Sequence, residues 1–153
     1  MPVAALGLAF LLLLASGAGA AGDRPADEAR PRVEHHVRHA EELSRHFDIL
    51  LRNGCPRFAT VAEWQAYVDA GVDQLVLLVA HIEQAWTEAK TTGDDEVRQA
   101  AKAPRRRLAA ARSLVDKWQG CAQDHGASLE VGPILRRIER EVPGRQADIA
   151  LPR

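Results

Sequence analysis

The sequence predicts an all-α protein: an antiparallel bundle of three long helices plus a short fourth, closed by one disulfide. Beyond residue 32 the apolar residues recur at three- and four-residue spacing, the period of a helix with one buried face. No segment shows the sustained alternation and β-branched enrichment of a half-buried strand. Caps and breakers divide the periodic stretch into four helices with short connections, and short connections make successive helices antiparallel.

The chain begins with 22 residues that carry no charged side chain. Residues 3–15 are almost unbroken apolar sequence, and Ala18-Gly19-Ala20 follows with the small-x-small pattern of a signal peptidase site. Residues 1–20 are therefore expected to be a cleaved signal peptide, and the protein to be exported, periplasmic or extracellular. The alternative is an uncleaved anchor, which needs roughly 20 apolar residues, but the second half of this segment is Gly, Ala and Ser. No Cys follows the run, which argues against a lipoprotein. Residues 21–32 are charged and hold Pro25 and Pro31, the composition of a disordered spacer. The bundle domain is expected over residues 33–143, with a flexible tail over 144–153.

The first helix, residues 33–52, carries Val33, Val37, Ala40, Phe47 and Leu51 on one stripe, widened by Leu43 and Leu50. Glu34, Glu41 and Asp48 each precede an arginine by four residues, a ladder worth about 0.2–0.5 kcal/mol a pair and the mark of a solvated face. Gly54 suits a left-handed cap and Pro56 blocks continuation. The second helix opens on the capping box Thr60-Val61-Ala62-Glu63. Trp64, Val68, Val72, Leu75, Val79, Ile82 and Trp86 follow in phase, and residues 75–80 are apolar all round, so neighbours should cover more than one side. Gly71 costs this helix about 1 kcal/mol relative to Ala. The third helix starts at Asp94 and Asp95 and runs to Ala122, kinked rather than ended by Pro104 because the stripe keeps phase across it. Gly126 closes it. Ile134, Leu135, Ile138 and Val142 mark the short fourth helix, stopped by Pro143-Gly144.

Antiparallel order returns the third helix to the pole where the first one ends. Cys55 lies just past the first helix and Cys121 in the last turns of the third, so a Cys55–Cys121 disulfide is expected. Its closed loop of about 65 residues would stabilise the fold by roughly 4 kcal/mol through the unfolded chain.

The charge balance, a net of -1, excludes generic nucleic-acid binding, and no second apolar stretch is long enough to span a membrane after signal cleavage. Histidine is concentrated in the first helix. His35, His39, Glu42 and His46 follow one another at steps of four, three and four, which keeps them on one stripe. Imidazole and carboxylate are ligands for zinc, copper or nickel, so these four are the candidate metal residues. The bland expectation is an incidental solvated pair, because the stripe lies away from the apolar seam. His36 flanks that seam and is expected to pack or hydrogen-bond.

Covalent haem is excluded by the absence of C-x-x-C-H, and methionine-ligated haem by a single Met at position 1. Arg98, Lys102, Arg105, Arg106 and Arg112 form a basic stripe with no interleaved aromatic, which reads as a solvated face. No nucleophile elbow, phosphate loop or H-E-x-x-H is present, and the carboxylates sit in charge ladders. The leading expectation is an exported, non-catalytic bundle acting through its surface, on a protein partner or structurally, with no cofactor. The alternatives are a divalent-metal-binding or metal-sensing bundle that uses the histidine stripe, and an enzyme whose site assembles from dispersed residues.

Overall fold

Helix α1 (Ala26–Arg52) sets the frame, because its buried stripe of Ala29, Val33, His36, Ala40, Ser44 and Phe47 follows a near-heptad rhythm along its length. It packs on α2 (Val61–Ala89). The chain returns through α3 (Asp95–Lys102), a 3₁₀ stretch (Ala103–Arg107) and α4 (Leu108–Ala122), and α5 (Val131–Asp148) closes the antiparallel bundle against α2. The computed structural model describes residues 24–149. The expected signal peptide and the last residues of the expected tail lie outside that range. Among the described residues there is no strand, and no helix is long and apolar enough to cross a membrane.

Three boundaries differ from the sequence reading. The expected spacer is helical from Ala26, running straight through Pro31. Proline there forfeits a backbone bond, but Ala29 and Val33 bury against Ala85, Val97 and Ala101, and Arg24 pairs with the buried Glu88. Backbone N–H of Arg24 also donates to Thr91 O at 2.8 Å, which ties the entry of α1 to the end of α2. At the other end, α5 is not short: it passes through Pro143 to Asp148, held by buried Val142 and half-buried Ile149. Third, Gly54 is not left-handed, since Gly126 alone among the described residues has a positive φ, of 63°. Lys117 of α4 caps α1 instead, donating to the carbonyls of Leu50 at 2.7 Å, Leu51 at 3.0 Å and Asn53.

The other signals resolve as the pattern implied. Thr60 Oγ1 accepts from Glu63 N–H at 3.2 Å while Glu63 Oε2 accepts from Thr60 N–H at 3.1 Å, completing the capping box. At Pro104 the α-helix gives way to a 3₁₀ stretch over Ala103–Arg107 and resumes at Leu108, so the one kinked helix expected is an α, 3₁₀, α succession. Cys55 and Cys121 are bonded, their Cα atoms 5.5 Å apart across 66 positions of sequence. Leu75, Val76, Leu78 and Ala80 are all buried, as the all-round apolar stretch requires.

The core divides in two. The larger cluster surrounds Phe47, Trp64, Leu75 and Trp118 towards the disulfide pole, and the smaller one joins Val33, Ala85 and Val97 at the opposite end. His36 and His81 lie at the level between them.

A candidate binding groove lined by imidazoles

Histidine 36 occupies a seam position of α1, three residues after Val33 and four before Ala40, where the heptad rhythm calls for an apolar side chain. It is fully buried. Across the seam His81 sits three residues after Leu78 and four before Ala85 on the buried face of α2. The two Nδ1 atoms are 3.0 Å apart, so one ring donates its Nδ1–H to the lone pair of the other. The second ring nitrogen of His36, Nε2, is buried without a hydrogen-bond partner. Desolvation, reinforced by the neighbouring imidazoles, lowers the pKa of each ring from 6.5 to about 4. Both are therefore neutral at neutral pH.

His35 and His39 stand one turn apart on α1 at the mouth of this pair. Their ring centroids are 4.6 Å apart in an edge-to-face contact, and His39 stacks on His81 at 5.0 Å. His35 lies 6.2 Å from His81, again between centroids. His39 Nδ1 is 3.3 Å from Glu42 Oε2. The result is a groove of about 260 Å³ whose walls are His35, His39 and His81 with Leu77, and whose end is Arg145, Asp148 and Ile149 from the unforeseen extension of α5.

Of the four residues on the sequence stripe, His35 and His39 meet at the groove and Glu42 abuts His39. His46 is exposed one turn further on, against the ring of Phe47 at 5.9 Å, and lines an adjoining pocket of about 360 Å³ with His39, Glu42 and His81. The stripe is a solvated face at Glu42 and His46, as expected, whereas His35 and His39 are half-buried because α2 supplies an imidazole to meet them. His81 escaped the sequence reading although its spacing from Leu78 and Ala85 placed it on the buried face. As the side chains stand, no three His, Cys, Asp or Glu residues among those described are placed to hold one metal ion.

Two other sequence readings gain detail. The basic stripe is exposed as expected apart from half-buried Arg98, and one member, Arg105, lies 5.5 Å from the Trp86 ring, with Lys90 at 5.3 Å, a cation–π arrangement. One carboxylate, Glu88, is buried rather than part of a ladder, held by Arg24, by Arg32 at 3.9 Å and by Gln84 at 3.2 Å. Both arise where the entry of α1 and Arg105 reach the end of α2. Comparison with family models, curated proteins and solved structures finds no match to this chain.

Proposed function

We propose that this protein is exported and acts as a non-catalytic binding module, with the imidazole-lined groove between α1 and α2 as its binding surface. One observation carries the reading. The heptad seam is otherwise apolar except for Ser44, whose hydroxyl donates to Ala40 O, yet it is interrupted by a buried histidine pair whose His36 Nε2 has no partner. A buried polar atom without a partner costs stability of about 1–3 kcal/mol, so a fold that keeps one at its centre keeps it for something other than stability. Export is supported by the uncharged leader and by a disulfide that an oxidising compartment would preserve.

Native mass spectrometry of the protein recovered from its own compartment tests both parts. The expected result is a chain beginning near Ala21, carrying a noncovalent adduct that His81→Ala loses. A full-length chain retained with membranes would overturn export. An adduct unaffected by His81→Ala, or none with the same melting temperature before and after denaturing dialysis, would overturn the groove.

A further inference from the structure

We propose that His35, His39 and His81 are the ligands of one divalent transition-metal ion of the zinc, nickel or copper class, with Glu42 and His36 orienting the second and third. The inference rests on the groove as binding surface and names its ligand.

Spacing comes first. Three imidazoles bound at about 2.0–2.1 Å to one ion in tetrahedral geometry place their ring centroids about 5 Å apart. Two of the three separations, His35 to His39 at 4.6 Å and His39 to His81 at 5.0 Å, match that spacing, and the third, His35 to His81, is longer at 6.2 Å. A bound arrangement differs in the aim of the rings and in the longer His35 to His81 gap, both of which rotation about the side-chain bonds of the half-buried His35 and His39 has to close.

The surrounding hydrogen bonds point the same way. A metal-binding imidazole uses one nitrogen for the ion and gives the N–H of the other to an acceptor, which fixes its tautomer. Glu42 stands at Nδ1 of His39, and Nδ1 of His36 stands at Nδ1 of His81. When His81 donates in that second bond, both rings present an Nε2 lone pair. His36 must then carry its own proton on the partnerless Nε2, which gives the odd buried pair a purpose as a positioning device. The ligands also come from two helices packed together in a disulfide-closed bundle, the rigid placement a preorganised site requires. The fourth position would open into the groove, beside Asp148.

This set differs from the helix-one stripe in that His81 replaces His46 and Glu42 orients His39 instead of binding the ion, and the exchange of histidines makes the experiment decisive. Exported protein with its disulfide intact is stripped with a chelator and titrated calorimetrically with zinc, nickel and copper(II) salts. One ion should bind per chain, micromolar or tighter for copper, with copper strongest. Glu42→Gln should weaken binding about 10–100-fold. His39→Ala and His81→Ala should weaken it more, and His46→Ala should leave it unchanged. If His81→Ala melts below the assay temperature, the copper(II) paramagnetic resonance spectrum of the unsubstituted protein decides. Coupling to three ring nitrogens supports the site, and coupling to two or fewer overturns it. Affinity weaker than about 100 µM, loss on His46→Ala, or retention on His81→Ala each overturn it too. A native adduct that is not a metal but is lost in His81→Ala would remove the metal and leave the groove standing.

Discussion

Two histidines, His125 and His36, sit at the two contrasting regions of this bundle. At the disulfide pole His125 lies flat on Trp64, 4.7 Å between centroids and 15° between planes, and its Nε2–H donates to Pro56 O at 2.8 Å. Everything near it is similarly accounted for: Phe58 packs on the same rings, and Trp118 Nε1–H reaches Tyr67 Oη at 3.4 Å. At the seam between α1 and α2, His36 is more deeply buried than most of the core and leaves a nitrogen unpaired. The first region is organised for stability, with aromatic area, a crosslink and closed hydrogen bonds. The second spends core positions on groups that oppose burial. The contrast teaches that the polar seam is where function is to be sought.

The largest effect should come from breaking the pole. Replacing both Cys55 and Cys121 by Ser frees a loop spanning 66 positions, and denaturant melts should show a loss of about 4 kcal/mol. A loss below about 1 kcal/mol would mean the aromatic cluster alone holds that end.

Acid should act on the seam instead. In the unfolded chain histidine protonates near pH 6.5, whereas His36 and His81 in the fold wait until about pH 4. Between those values the unfolded state binds more protons, so stability falls as pH drops from about 6.5 to about 4 and levels off below. The loss should be on the order of a few kcal/mol, read from chemical denaturation at fixed ionic strength. The groups facing the pair are His35, His39 and Glu42 from α1, with Arg145 and Asp148 from α5 lining the same groove. In the double variant His36→Leu, His81→Leu this slope should vanish while stability at pH 7 stays within about 1.5 kcal/mol of the parent, since replacing both partners by apolar groups can be nearly neutral. A steep slope that survives would place the acid sensitivity elsewhere.

Gly71→Ala returns to the pole with a smaller change. Helix propensity favours the substitution by about 1 kcal/mol, but a Cβ at this position would overlap the six-membered ring of Trp118. Overpacking should win, with a net destabilisation of about 1–3 kcal/mol by thermal or chemical melts. A stabilised variant would show that Trp118 can yield. The smallest effect is reserved for the solvated ladder, where Glu41→Ala should cost about 0.5 kcal/mol or less in the same assay.

Much of this architecture was legible before any coordinates. Helix periodicity, the Thr60–Glu63 box and the Cys55–Cys121 pairing each rest on local chemistry or on antiparallel order, and the structure shows each in its place. The errors share one cause. Local preference alone puts Pro31 in a spacer, makes Pro143 a stop and Gly54 a left-handed cap. Burial of Ala29, Val142 and Ile149, and a lysine reaching across from α4, outweighed or bypassed those preferences.

The groove follows the same division. Sequence by itself put His35 and His39 one turn apart, because 3.6 residues per turn is a property of the helix alone. It also set Glu42 within reach of His39, at a spacing of three on the same helix. Which helix faces that stripe depends on the relative rotation of two packed rods, and no residue spacing within either one encodes it. Tertiary structure alone brought His81 onto the stripe, turned His36 into a buried partner and carried Arg145 and Asp148 to the rim. The reason is physical: periodicity assigns a side chain to a face, whereas packing decides what that face meets.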